Sequence, residues 1–135
     1  MKKALFLSAV ISLLAGCQHE TVDDRAAREA AEYTKQMCPT PIENFTRTDS
    51  LVFNRTTRTL IYYCAFSDKM DDEKMVAINR NKLVEGLKAG IKNDIGLKTY
   101  LEAGIHVMYV VHSTKEPQKV LFKEQIHENL QEPCP

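Results

Sequence analysis

The chain has 135 residues, of which 44% are hydrophobic, with 18 basic and 18 acidic side chains and a formal net charge of zero. No basic excess exists to neutralise phosphates, so a nucleic-acid partner is not expected. The length supports one hydrophobic core of modest size, not two.

The first 17 residues carry the most specific pattern. Met1-Lys2-Lys3 precedes the apolar run Ala4 to Leu13, which leads into Leu14-Ala15-Gly16-Cys17. The lysines stay on the cytoplasmic side while the apolar run enters the translocon, and the small residues at 15 and 16 admit a peptidase. The run is too short for a spanning helix, which needs about 20 apolar residues. This is the pattern of a bacterial lipoprotein export signal. The expected organisation is a signal peptide over 1–16, a lipidated tether over 17–22 and a single α+β domain over 23–135. Acyl chains on Cys17 make the lipid bilayer the first partner, because several chains together anchor stably where one is marginal. Gln18 follows the acylated position, and the resemblance to enterobacterial sorting, in which Asp there favours the inner membrane, points to the outer membrane.

Export places Cys38, Cys64 and Cys134 in an oxidising compartment, where a disulfide outranks a metal site or a catalytic thiol. Sequence does not fix connectivity. Hairpin geometry favours Cys38 with Cys64, leaving Cys134 free.

From Thr21 to Met37 the chain is alanine-rich, with acids early and a lysine late, as the helix macrodipole favours. This predicts a first helix, which Cys38-Pro39-Thr40-Pro41 stops. Leu51-Val52-Phe53 and Leu60 to Phe66 are strand-like runs around the polar segment Asn54 to Arg58, predicting a β-hairpin. Asp71 to Lys92 carries Val76, Leu83, Leu87 and Ile91 at helical spacing, with acids first and Lys88 and Lys92 last. Leu97 to Ala103 reads as a short helix closed by Gly104. Ile105, Val107, Tyr109 and Val111 share one parity of a third strand, and Val120, Phe122 and Ile126 one parity of a fourth. A pairing of Val111 with Val120 leaves the loop Thr114 to Pro117. The expected fold is α+β: N-terminal helix, β-hairpin, helix, short helix, β-hairpin, with a four-stranded antiparallel sheet packed on helices.

Chemistry-bearing candidates are sparse. His106, His112 and His127 fall on the strand parity opposite the core, but no carboxylate or cysteine recurs at ligand spacing, and no metal is expected. Ser50, Ser67 and Ser113 have no glycine-framed elbow, so no nucleophile–base pair is expected. The acidic run Asp68 to Glu73 lacks the glycine turn and terminal glutamate of a calcium loop. The non-core sheet face, where Met108, Val110, Leu121 and Tyr62 or Tyr63 gather, either docks a protein partner or packs against the first helix.

The ordered set Cys38-Pro39, Thr48-Asp49-Ser50, Leu60-Ile61-Tyr62-Tyr63, Leu97 to Gly104 and Val107-Met108-Tyr109-Val110 resembles a group of small bacterial envelope proteins without assigned activity, many of them lipoproteins. The resemblance runs from about Met37 to Ile126 and implies an α+β fold. It transfers no functional residue. Some members pair a C-terminal cysteine resembling Cys134 with one after the second helix; here that region is Lys92-Asn93-Asp94, so the bridge has no second cysteine.

The expectation is therefore a non-enzymatic lipoprotein of the cell envelope, without cofactor, that acts through contact with another envelope protein. Two alternatives remain. One is an inhibitor or immunity-type module that blocks an envelope hydrolase with the loop Thr114 to Pro117 or Asn54 to Arg58. The other is a carrier holding a small ligand between sheet and helices.

Overall fold

The computed structural model describes residues 19–126; Cys17, His127 and Cys134 lie outside them. Helix α1 spans Val22–Met37, and Thr21 caps it by accepting a hydrogen bond from the Asp24 backbone N–H at 3.0 Å. Its buried residues are Ala26 and Ala30. Two small side chains let the helix lie close on the sheet.

Strands β1 (Thr46–Asn54) and β2 (Thr59–Phe66) form the expected hairpin. The Asn54 carboxamide oxygen folds its turn by accepting from the N–H groups of Thr56 and Thr57 at 3.0 and 3.1 Å. This is how Asn nucleates turns. After a short 3-10 turn at Asp68–Met70 comes α2, Glu73–Asn93, capped by Asp72, which accepts from Lys74 and Met75 N–H at 2.8 and 3.0 Å. Asp94 ends α2 and caps α3, Ile95–Glu102. Gly104, at φ 81°, turns the chain into β3, His106–Ser113, and β4, Val120–Ile126, completes the sheet.

Strand order is β1-β2-β3-β4. The outer pairs are antiparallel, but β2 and β3 run parallel, from Thr59 beside His106 to Phe66 beside Ser113. The sheet is thus mixed, where the sequence suggested antiparallel pairing throughout. The cause is the connection: α2 and α3 carry the chain back across the sheet from Phe66 to His106, and a strand–helix–strand crossover delivers parallel neighbours.

All three helices share one face. Their core has two parts. Ala26, Ala30, Phe53, Leu60, Ile91, Leu97, Tyr100, Ile105, Val107 and Ile126 fill the end nearest the β1–β2 turn. Cys64, Phe66, Val76, Val111 and Phe122 fill the other. Tyr62 and Tyr109, stacked with ring centroids 4.8 Å apart, join them.

The β3–β4 register differs from the expected one. Val111 opposes Phe122, and a shift at the next step sets His112 against Val120. Phe122 and Ile126 face the core as expected, but Val120 is 46% exposed because the irregularity rotates it out. No helix among the described residues is long and apolar enough to cross a membrane.

Candidate functional site

Helix α1 packs over β1 and α2 over β4. Between them the sheet is uncovered toward the end where Thr46 pairs with Phe66. A groove of about 410 Å³ lies there. Its floor is Thr48, Cys64, Phe66, Tyr109, Val111 and Phe122; its wall is Lys82, Leu83, Gly86 and Leu87 of α2; Asn44 and Thr46 form the lip. The volume falls at the low end of the range for small-molecule pockets, about 300–1,000 Å³.

The floor stays uncharged at neutral pH. Burial pushes the Tyr109 phenol up to about 12 and raises the Cys64 thiol. Cys64 Sγ sits 3.8 Å from Thr48 Oγ1. The neighbouring cation Arg80 is engaged, stacked 5.1 Å from the Phe122 ring centroid and paired with Glu124. Lys82 is the charged residue of the lining, and no carboxylate among the described residues pairs with it.

Gly86 stands in the interior of α2, where a Cβ at its position would meet nothing within 4 Å. Glycine weakens a helix interior by about 1 kcal/mol relative to alanine. No contact within the described fold compensates for it.

The rim strand is closed to strand addition along part of its length. Thr34 Oγ1 donates to the Leu51 carbonyl and accepts from the Leu51 N–H, both at 2.8 Å. Thr40 does the same for Thr48, its N–H donating to the carbonyl at 3.0 Å and its hydroxyl accepting at 2.9 Å.

The expected site residues are placed as follows. Cys38 caps the end of α1 half-buried and Cys64 is buried on β2; both are free thiols, and burial raises each. His106 and His112 lie on the sheet face away from the helices, and no metal-binding group of His, Cys, Asp or Glu exists among the described residues. Tyr63 stacks against His112 on that face, whereas Tyr62 turns to the core. Helix α1 packs on the opposite face, so it does not cover Met108 and Val110; Leu121, expected beside them, packs instead against the core cluster of Cys64, Phe66 and Phe122, next to the register shift in β4.

Both candidate inhibitory loops are fastened to the body. Arg55 and Arg58 hold the first to Asp24 and Asp23, and the Asp71 carboxylate accepts from Lys115 N–H in the second at 3.0 Å. Sequence reasoning missed the groove. Its legible trace was Gly86, a glycine inside an otherwise amphipathic helix.

Fold and groove together define a two-layer α+β domain, a mixed four-stranded sheet with helices on one face and a cleft between them. The chain belongs to the family described as a domain of unknown function, DUF8479, whose profile matches residues 21–122. No curated protein matches it. Among solved structures it is similar to a Pseudomonas aeruginosa protein described as secreted, at 12% identity and TM-score 0.63, covering 82% of this chain and 96% of that one. It is also similar to EpsS, the pilotin of the Vibrio vulnificus type 2 secretion system, at 7% identity and TM-score 0.57, covering 76% and 84%. At these identities the likeness concerns the fold.

Proposed function

We propose that this protein is a non-enzymatic lipoprotein of the bacterial cell envelope, anchored through acylated Cys17, most naturally in the outer membrane, that holds a segment of another envelope protein in its groove. The observation that carries the reading is the apolar, half-open groove with bare helix backbone at Gly86. Such a surface gains from being covered. Two fold relatives described as a secreted protein and a secretion-system pilotin support an envelope setting.

The anchor is tested by labelling cells with a radiolabelled fatty acid. Label on the parent and none on Cys17→Ser, with loss of that variant from the membrane fraction, is the expected result; equal partitioning of both without label overturns it. The same oxidising setting favours a disulfide, and we propose the Cys38–Cys64 pairing that hairpin geometry suggests, both being free thiols in the structure. It forms by exchange with the disulfide of an envelope thiol oxidase, which takes up the two electrons and two protons. Mass mapping of protein extracted from cells with thiols blocked should recover the linked peptides; Cys134 linked to either residue overturns this pairing.

The 410 Å³ volume also suits a small apolar ligand. A ligand retained through purification, and absent when the groove is filled, would favour that carrier role.

A further inference from the structure

The groove constrains what lies in it. A partner adding a strand needs free backbone groups at a sheet edge, and on β1 the N–H and C=O of both Thr48 and Leu51 are already taken by Thr40 and Thr34. An incoming segment must therefore lie across the sheet face, on Phe66, Tyr109, Val111 and Phe122. An extended chain there places most of its own N–H and C=O groups over Phe66, Val111 and Phe122, which cannot bond them, and leaving them unpaired is costly. A helix satisfies those groups internally and presents only side chains.

The wall fits the same occupant. Helices pack closely where one of them lacks a side chain, and Gly86 presents backbone to the groove with no atom of the described fold within 4 Å of where its Cβ would stand. The groove's volume takes the apolar side chains of a helix, leaving the helix itself half outside. One turn before Gly86 stands Lys82, exposed and without an ion pair among the described residues. A lone cation at the edge of an apolar contact selects a carboxylate opposite it.

We infer that the groove seats an acidic amphipathic α-helix of a partner protein, its apolar side on the sheet, its backbone crossing at Gly86 and a carboxylate meeting Lys82. This rests on the docking role proposed above and adds the chemistry of the partner.

The test uses the full chain in zwitterionic lipid nanodiscs, with protein-free discs as blank, and fluorescent hydrocarbon-stapled peptides of alternating leucine and alanine faces. One peptide carries glutamates along its flank, one carries lysines, and one carries the glutamates with a central proline and no staple. Anisotropy should show saturable binding of the glutamate helix, about two- to fivefold tighter than the lysine helix, the size of an exposed ion pair. Lys82→Glu should reverse that order, and the proline peptide should bind neither form. Gly86→Leu should abolish binding while the melting midpoint holds or rises, since leucine favours helix over glycine and a Cβ at 86 has no atom of the described fold within 4 Å to displace.

Binding that Gly86→Leu blocks, but that ignores charge or helicity, overturns the acidic helix and leaves the docking role standing. Binding indifferent to Gly86→Leu overturns both. Absence of any peptide binding up to the solubility limit also overturns the inference, and groove-dependent binding of a fluorescent fatty acid alongside it assigns the site to a small ligand.

Discussion

Arg58 binds Asp23 across the fold, its Nη2 2.7 Å from the Asp23 carboxylate, and its Nη1 donates to the Ala103 carbonyl at 3.0 Å. One side chain from the β1–β2 turn thereby ties the first turn of α1 to the end of α3. Asp23 is held below its ordinary pKa chiefly by the Arg58 hydrogen bonds. Both partners are substantially solvent-exposed, so the pair is screened and modest. Arg58→Ala should lower the melting midpoint more than Asp23→Ala, because only the first also strips the Ala103 carbonyl. Thermal scans in low and high salt check this, and the Asp23→Ala deficit should shrink as salt rises.

Replacing either helix glycine with alanine should stabilise the protein. At Gly86 and at Gly90 a methyl group would have no atom of the described fold within 4 Å, and neither glycine adopts a positive φ. Gly86→Ala and Gly90→Ala are each expected to raise the free energy of unfolding by about 0.5–1 kcal/mol, measured by urea titration. Only position 86 borders the groove. The two variants should therefore match in stability and part in binding.

Two isoleucines ten residues apart should behave oppositely. Ile105 is 1% exposed in the turn before β3, and Ile95 is 85% exposed at the start of α3. Ile105→Ala is expected to cost about 2–5 kcal/mol from lost burial and an unfilled cavity. Ile95→Ala should stay within about 0.5 kcal/mol of the parent. Denaturant midpoints of the two variants check the contrast.

The pH profile of stability should carry two assignable limbs. The Ser113 hydroxyl and the Lys115 N–H hold Asp71 below its ordinary pKa. Its contribution is complete above the unfolded value of about 3.9 and is lost as pH falls through the lower folded value. Asp71→Asn should flatten that acid limb. Burial, and then the Glu29 carboxylate it donates to, push Tyr100 up to about 12. Its contribution is complete below the unfolded value of about 10 and is lost as pH rises through the folded one. Tyr100→Phe should shrink the alkaline limb, leaving the part due to buried Tyr62 and Tyr109. Urea titrations across pH on parent and variants resolve both.

The elements were legible because their signals are local. Thr21 and Asp72 are side-chain caps, Gly104 is a left-handed stop, and Val107, Tyr109 and Val111 alternate as a half-buried strand does. The parallel β2–β3 pairing was not, since it depends on where α2 and α3 return the chain rather than on any residue of either strand. Val120 was misplaced for a related reason: a register slip at Leu121 leaves no mark in the alternation of apolar residues. The groove escaped because it is bounded by what is missing, a helix over the strand ends that hold Thr46, Thr48, Cys64 and Phe66, and a side chain at 86. Patterns of apolar residues report contacts made, not surfaces left bare.

Helix α1 also sets a direction. Its first turn is fixed at Arg55 and Arg58, its last lies near Leu51, and its 16 residues span about 24 Å. The chain ahead of Val22 therefore departs from the pole farthest from the mouth of the cleft. On the proposed reading that Cys17 is acylated, the described domain begins at its β1–β2 end, opposite the cleft. With the proposed attachment on that side, the cleft stays clear of it for a guest to enter and leave.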